Sequence, residues 1–328
     1  MKITMAHGSG GKATSELISN LFAKNFGNPV LLRMEDSAIV PGAEKIAVTT
    51  DSFVVTPLFF KGGDIGRLAV CGTVNDLAVS GAVPKYLTCG FILEEGADTE
   101  ELDRIAASMA ETAKEAGVTI VAGDTKVIEG RGGVYINTAG VGFLPEGVSY
   151  SAAACRPGDA VLLSGNLGDH HAAILSGRMG IENTIQSDCA PLNGMMEALK
   201  KSGARIRAVR DVTRGGLATI LNEFAAASRC CIELSEDAIP VSEQVRGFCG
   251  ILGLDPLYMG NEGKLAAVVA KEDAEKALSA IRSDRYGENA AVIGTVTEEK
   301  RAAVLLKTPI GGTRIVTELY GEGLPRIC

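Results

Sequence analysis

The alternation of apolar and polar positions predicts strands and helices that follow one another along the chain. Residues 46–55, 118–123 and 135–143 have the patterns of strands. Residues 98–117 carry an apolar stripe at helical spacing, and Gly117 is typical of a helix stop. The strands and the helix in this first half indicate an α/β or α+β fold.

The pattern begins again after a stretch rich in Pro and Gly at about 145–158, which predicts a domain boundary. We predict domains at 1–150 and 151–310 and a flexible, extended tail at 311–328, where no periodicity is sustained. Residues 265–296 are typical of a βαβ-like unit. Further strands are predicted at 160–165, 205–209, 265–270 and 291–296, and helices at 213–228 and 272–282.

Composition narrows the class of protein. The 328 residues are 46% hydrophobic with a net charge of −8, which indicates a globular chain and argues against a nucleic-acid-coating surface. The polar, Gly-rich start is unlike a signal peptide, and no uncharged apolar run approaches the ~20 residues of a membrane span. Eight Cys without a CxxC pair and three His disfavour a zinc site or a disulfide framework. We therefore expect a soluble cytoplasmic protein.

Acidic residues recur after apolar segments and before Gly- or Thr-containing turns. Carboxylates at strand ends would suit Mg²⁺ held between protein oxygens and phosphates. The alternative for each one is a helix cap or a turn residue. The residues in this arrangement are Asp36, Asp51, Asp124, Asp169 and Asp211.

Two further stretches carry candidate chemistry. Residues 66–84 have helical spacing and are mostly small and apolar, with Asn75 and Asp76 in the middle. A buried charge needs a partner such as a metal or ligand, although an exposed polar stripe explains the pattern equally well. The HGSGGKAT loop at 7–14 could cradle phosphate, or it could be a plain loop. It fails the Walker A pattern but fits a relaxed G-x-G-x-x-A, a weak indication of NAD binding.

Several motifs, in this order, match one family: MAHGSGGK, TTDSFVV, DIGRLAVCGTVNDLAVSGAVP, FILEEG, VAGDTKV, DVTRGGL, NEGKL and a final PRIC. The chain resembles the hydrogenase expression/formation proteins HypE from about residue 7 to residue 328. The central motifs alone resemble the wider superfamily of aminoimidazole ribonucleotide synthetase, selenophosphate synthetase and thiamine-monophosphate kinase. The final PRIC is what separates HypE from these siblings.

The resemblance implies a two-domain aminoimidazole ribonucleotide synthetase-like fold, in which two subunits pair their N-terminal sheets and ATP lies beside that interface. It implies that a carbamoyltransferase, HypF, places a carboxamide on Cys328. ATP-dependent dehydration then gives a thiocyanate, and the cyanide passes to iron on a HypC–HypD complex for NiFe hydrogenase. Phosphoryl transfer of this kind depends mainly on positioning and charge neutralisation.

The resemblance also implies roles for individual residues. Glu262 is the first choice for a base near the carboxamide, with Asp76 second. The family usually has Gly where this chain has His171, so we give His170 little weight as a catalytic group. The implied nucleotide and metal ligands are Asp36, Asp51, Asp76, Asp124 and Asp211, and the implied phosphate or carboxamide contacts are Gly10, Gly11, Asn75, Thr125, Lys126 and Arg214.

Three alternatives remain open from the sequence. A sibling ATP-dependent synthetase or kinase would act on a free small molecule and would not need Cys328. An NAD-dependent oxidoreductase rests only on the Gly pattern at 8–13. A non-catalytic scaffold would use the Asp residues as caps.

Overall fold

The computed structural model describes residues 1–298 and 302–319, which form two main sheets with packed helices. The first half contains strands β1 Ile46–Phe53, β2 Phe59–Phe60, β3 Gly63–Asp64, β4 Val83–Glu94, β5 Thr119–Ile128 and β6 Val134–Phe143. Its helices are α1 Lys12–Leu17, α2 Ala23–Phe26, α3 Ile65–Val79 and α4 Thr99–Ala116, with a π-helical turn at Ile18–Phe22 and 3-10 turns at Met5–Gly8 and Leu31–Arg33.

The second half adds seven strands and five helices to the described structure. The strands are β7 Ala160–Leu163, β8 Ile206–Asp211, β9 Cys231–Ser235, β10 Leu265–Val269, β11 Ala291–Thr297, β12 Ala303–Lys307 and β13 Thr313–Val316. The helices are α5 Asp169–Arg178, α6 Asn193–Lys201, α7 Gly216–Ser228, α8 Glu243–Leu252 and α9 Ala274–Arg282. Across residues 1–298 and 302–319, no helix has the length and apolar character needed to cross a membrane.

The first sheet has the strand order β1-β6-β4-β5. Neighbouring strands are antiparallel except β4 and β5, which are parallel and joined through α4, as a parallel pair requires. Helix α4 confirms the helix predicted at 98–117. The Asp98 carboxylate accepts a bond from Glu100 N at its start, and Gly117 ends it with φ +69°.

Helix α3 confirms the helical spacing predicted from residue 66 and lies between the two halves of the molecule. The Asp64 side chain caps it by accepting bonds from the N–H groups of Gly66 and Arg67. The helix is buried on almost every side because it packs on the first sheet and on α4 and also contacts α6 and β8. It therefore joins the N-terminal sheet to the second half of the chain.

The second sheet has the order β13-β12-β9-β11-β7-β10-β8. Strands β10 and β11 lie on either side of β7 and are both antiparallel to it, so they are parallel to each other, with α9 between them in sequence. This split arrangement confirms the βαβ-like unit predicted at 265–296. Strand β8 at one edge ends on Asp211, and β10 beside it follows the loop that contains Glu262.

Three of the predicted boundaries differ most clearly from the observed ones. The strand predicted at 118–123 continues to Ile128, so Asp124 lies inside it. The helix predicted at 213–228 begins at Gly216, because Gly215 in the preceding turn adopts φ +78° and Gly216 itself has φ +64°. Part of the predicted tail forms β13, which pairs with β12. The rest of the tail, from residue 320 onward, lies outside the described residues.

The face of the first sheet that points away from α3 and α4, here called the outer face, is rich in exposed apolar side chains. Val48 is 66% exposed, Ile46 54%, Ile92 44% and Ile128 41%. Exposed apolar side chains gathered on one face of a sheet are typical of an interaction surface.

Candidate active site

Three aspartates from different elements lie near one another where the two halves meet. Asp51 is in β1, Asp76 is in α3 and Asp211 ends β8. Burial raises the pKa of Asp211 to about 7, and repulsion from Asp76 and Asp51 adds to the rise. The pKa of Asp51 is also raised, by burial and then by Asp76, while Arg214 opposes the shift. Thr49 Oγ1 donates a 2.7 Å hydrogen bond to Asp76 Oδ2.

Glu262 is the fourth acid of this group, and we call Asp51, Asp76, Asp211 and Glu262 the junction acids. The pKa of Glu262 is raised well above its usual value, chiefly by burial and then by repulsion from Asp211, with Arg214 opposing. All four side chains remain partly accessible. A carboxyl group whose pKa is shifted toward neutrality can take up and release protons under physiological conditions.

The junction acids fit magnesium only as a site shared with phosphate. Within residues 1–298 and 302–319, no three His, Cys, Asp or Glu side chains converge closely enough to hold an ion by themselves. Mg²⁺ usually takes one or two carboxylates and completes its shell with phosphate oxygens and water. Burial is the largest cause of the raised pKa values of Asp51 and Asp211, and a divalent cation would relieve the repulsion from neighbouring aspartates that adds to it.

Asp124 does not join this group, because it projects from the opposite face of the first sheet. One row of paired residues crosses the four strands, and the side chains in this row lie on the outer face. The row consists of Ser52, Asn137, Gly90 and Asp124. Asp51 precedes Ser52 and points the other way, toward α3. The five aspartates predicted as one metal set are therefore divided within a single chain.

The residues around Asp124 make a local contact of their own. Lys126 Nζ lies 2.7 Å from Asp124 Oδ2, and both side chains are largely exposed. The hydrogen bond from Lys126 lowers the pKa of Asp124. Thr125, by contrast, is buried, and its N–H donates to Asp124 Oδ1.

A cavity of about 370 Å³ adjoins β5 and is lined by other residues that were predicted to bind the nucleotide. Asp36, Asp124 and Thr125 line it together with apolar side chains such as Phe22 and Phe91. The apolar segment before Asp36 forms a 3-10 turn at Leu31–Arg33, so Asp36 does not follow a strand. The volume is in the range of small-molecule sites.

The Gly-rich loop lies beside the same cavity. Gly10 has φ +78°, and its N–H donates to Thr14 Oγ1 at 3.0 Å, so this N–H is already used within the loop. Gly11 precedes the short helix α1, and Thr14 lines the cavity. Phosphate binding by Gly10 and Gly11 stays a prediction.

The side chain of Asn75, which was predicted to contact phosphate or the carboxamide, lies in the protein interior. Its side chain is 1% exposed. Nδ2 donates to Ala190 O at 3.0 Å and to Glu262 O at 3.3 Å, and Oδ1 accepts from Leu192 N at 2.7 Å. Asn75 therefore ties α3 to backbone segments of the second half, which is a positioning role.

The two adjacent histidines are buried structural groups. His170 Nδ1 lies 2.8 Å from Ser187 Oγ, and burial lowers the pKa of His170 to about 4. His171 is 5% exposed. A neutral, enclosed imidazole suits packing, in agreement with the little weight given to His170 as a catalytic group.

The sequence did not single out Asp188 and Lys264, which form a buried ion pair beside Glu262. Lys264 stands in the NEGKL motif, which was the available signal for it. Asp188 follows no strand or Gly-rich turn, so its sequence neighbourhood carries none. Cys328 lies outside the described residues, whereas the seven cysteines within them are all buried.

Comparison with known proteins agrees with this architecture. Residues 34–144 match the N-terminal domain of AIR synthase related proteins, and residues 156–307 match their C-terminal domain. A thiamine-monophosphate kinase from Stenotrophomonas maltophilia, 18% identical with a TM-score of 0.67, shares the fold. The chain is thus an AIR synthase-related protein with the predicted two-domain α/β architecture.

Closer relatives define the family within this class. Carbamoyl dehydratase HypE from Azotobacter vinelandii is 51% identical over 99% of this chain and 97% of its own, and that from Escherichia coli is 48% identical over 99% of both. The structure of a HypE in complex with ATP superposes with a TM-score of 0.95, 47% identity and 99% coverage of both chains. The chain belongs to the HypE family of carbamoyl dehydratases, as its motifs predicted.

Proposed function

We propose that this protein uses ATP to dehydrate a carboxamide on the sulfur of Cys328 to a thiocyanate, as a step of hydrogenase maturation. The observation that carries the proposal is the group of junction acids, including one glutamate with a strongly raised pKa, in a member of the HypE family. A related HypE has been crystallised with ATP.

The proposed reaction consumes one carboxamide and one ATP and yields a thiocyanate, ADP and phosphate. The carboxamide oxygen attacks the γ-phosphorus, the bond to ADP breaks, and one N–H proton leaves. The C–O bond to the new phosphate then breaks as the second N–H proton leaves and C≡N forms. Glu262 is our first choice to accept these protons, because burial and then repulsion from Asp211 raise its pKa and so make it a stronger base. Asp76 is the second.

We propose that Mg²⁺ binds at the junction acids. Asp51, Asp76 and Asp211 would hold Mg²⁺ together with the phosphates, and the ion would neutralise the charge that develops during transfer. Arg214 contributes positive charge to the same region, since it lowers the pKa values of Asp51 and Glu262. The remaining proposed nucleotide contacts are Gly10, Gly11, Asp36, Asp124, Thr125 and Lys126.

The position of β13 determines the distance that residues 317–328 must span for Cys328 to reach the junction acids. Followed from strand to strand across the second sheet, the residues paired with Val316 lead to the end of β8 that contains Ile206. Asp211 lies at the other end of β8. Six strand spacings and five residues along the strand separate Val316 from Asp211 by roughly 33 Å. Residues 317–328 span at most about 40 Å when fully extended. Cys328 can therefore reach the junction, but with little slack.

The proposed assembly is a homodimer through the outer face, whose exposed apolar side chains would be covered by a second copy. A HypE–HypF complex is known for a relative that is 48% identical, which supports HypF as carbamoyl donor here. We propose a HypC–HypD complex as the cyanide acceptor. We propose a reducing, cytoplasmic compartment, in which the buried cysteines of the described residues would persist as thiols.

Mass spectrometry of the carbamoylated protein tests the proposal. Addition of Mg-ATP should remove the mass of one water from the peptide that contains Cys328, with formation of ADP. Cys328→Ala should show neither carbamoylation at this position nor the mass change, while it binds Mg-ATP normally. A mass change on another cysteine, or none with a fully carbamoylated chain, would contradict the assignment.

A further inference from the structure

The loop that carries Glu262, residues 259–264, is held by an ion pair that is almost completely buried. Asp188 Oδ2 and Lys264 Nζ are 3.2 Å apart, and the two side chains are 3% and 8% exposed. Asp188 Oδ1 accepts a 3.0 Å hydrogen bond from Glu262 N. Lys264 Nζ also donates to Gly263 O at 3.1 Å. One carboxylate thus joins the backbone of Glu262 to the ammonium group two residues later.

The carbonyl side of Glu262 is fixed as well. Ala190 N donates to Glu262 O at 3.3 Å, and Asn75 Nδ2 donates to the same oxygen at 3.3 Å. Gly263 packs so closely that an added Cβ would lie 1.9 Å from Asp188 O. The backbone N–H and C=O of Glu262 are therefore both bonded to the segment 188–190 or to α3, which leaves the loop little freedom.

A buried ion pair is a costly way to fill space, because both charges lose their hydration and apolar side chains of similar volume often hold a fold as firmly. Here the carboxylate does something that an apolar side chain could not do, since its second oxygen accepts the Glu262 N–H. We propose that Asp188 is a positioning residue for Glu262 and that Lys264 is the counterion that holds its carboxylate in place. This inference rests on the proposed role of Glu262 as proton acceptor.

The inference predicts a specific kinetic defect. A base must lie within hydrogen-bond reach of the proton that it removes. Displacement by about 1 Å can cost on the order of 100-fold in rate. Loss of the Asp188 bond should therefore lower the dehydration rate by about 10- to 100-fold. Mg-ATP affinity should stay unchanged, because Asp188 and Lys264 belong to neither the proposed metal site nor the nucleotide contacts.

Two double variants separate the effect of the hydrogen bond to Glu262 N from the effect of the charges on Asp188 and Lys264. Asp188→Asn with Lys264→Met removes both charges and keeps an oxygen that can accept from Glu262 N. Asp188→Leu with Lys264→Met removes the charges and the acceptor together. In single-turnover experiments on the carbamoylated protein, we expect the Asn variant to rescue the rate to within about 3-fold of wild type. The Leu variant should show the full loss at unchanged Mg-ATP affinity by calorimetry.

Glu262→Gln, alone and combined with the Leu variant, distinguishes the two proposals. If Glu262→Gln keeps the wild-type rate, Glu262 is not the base and both proposals are overturned. If Glu262→Gln is impaired but the Leu variant is not, only the positioning role is overturned. A role exercised through Glu262 also requires that the combined variant be no slower than Glu262→Gln. If the Leu variant does not fold, the Asn variant decides, and loss of its rate would overturn the positioning role.

Discussion

We expect the side chain of Asp211 to lower the stability of the folded protein and to favour the binding of Mg-ATP. Its pKa is raised to about 7, so above that pH the folded protein must hold a carboxylate that burial and the neighbouring Asp76 and Asp51 disfavour. In an unfolded chain the same group ionises near its ordinary value of 3.8. The free energy of unfolding contributed by Asp211 therefore falls as the pH rises from about 4 to about 7.

Asp211→Asn should consequently have opposite effects on stability and on binding. At pH 8 without metal, we expect the free energy of unfolding to rise by on the order of 1–3 kcal/mol, with a smaller gain at pH 5. Mg-ATP binding should weaken by at least about tenfold, because a metal ligand is lost. Denaturant titration and calorimetry measure the two effects. Asp237→Asn, at an exposed acid, is the control, and unchanged Mg-ATP affinity in Asp211→Asn would remove Asp211 from the metal site.

His170 gives a pH dependence of the opposite sign. Its folded pKa is lowered to about 4 from 6.5, so the unfolded chain takes up the proton first as the pH falls. The contribution of His170 to stability is complete above pH 6.5 and is lost progressively toward pH 4, by up to roughly 3 kcal/mol. His170→Asn keeps a polar group near Ser187 but cannot be protonated there. The stability difference between wild type and this variant should shrink from pH 7 to pH 4.5, and a constant difference would contradict the prediction.

The sequence predicted individual acids better than their grouping. Asp51, Asp76 and Asp211 could be found because each stands in a recognisable motif. The separation of Asp124 could not, because it depends on strand β5 continuing past residue 123 and on the register that places its side chain on the outer face. Asp188 meets Glu262 only through tertiary structure, which no local pattern records.

Helices α3 and α4 illustrate how packing overrides propensity at the scale of elements. Ala favours a helix over Gly by about 1 kcal/mol at an open position. An added Cβ at Gly66 would lie 2.4 Å from Ile105 O, a backbone atom of α4. Gly66→Ala should therefore destabilise the protein by about 1–3 kcal/mol through overpacking. Gly247→Ala in α8, where nothing lies within 4 Å, should stabilise it slightly. Equal thermal shifts for the two variants would refute this account.

Helix α4, with a full local pattern, was predicted closely, whereas β13 and the segment before Asp36 were not. Helix α4 has its cap, stripe and stop in its own residues and matches the prediction to within one residue at each end. Strand β13 lies within the predicted tail, because its four residues become a strand only by pairing with β12. The segment before Asp36 has an apolar run but closes into a 3-10 turn.

The outer face decides assembly at the scale of the whole molecule. Val48 is 66% exposed within this apolar surface, and a buried, unpaired charge there would strongly oppose pairing of two copies. We expect light scattering to give twice the 34.0 kDa chain mass for the wild type and the monomer mass for Val48→Glu. Ile251→Glu, at an 85% exposed position in α8, should remain dimeric. A monomeric wild type at micromolar concentration would contradict the proposed dimer.

The size of the second sheet also limits how Cys328 can reach the junction acids of its own chain. Because β13 and β8 are the two outermost strands, Val316 and Asp211 lie roughly 33 Å apart, and residues 317–328 would have to span this distance. Deletion of residues 317–320 leaves eight residues, which extend to about 28 Å at most and fall short of that distance. This shortened chain should bind Mg-ATP normally and accept the carboxamide, but its dehydration rate should drop by at least about tenfold. Replacement of the same four residues by Gly and Ser keeps the length and should keep the rate. A shortened chain that reacts at the wild-type rate would show that the thiol is not delivered across its own sheet.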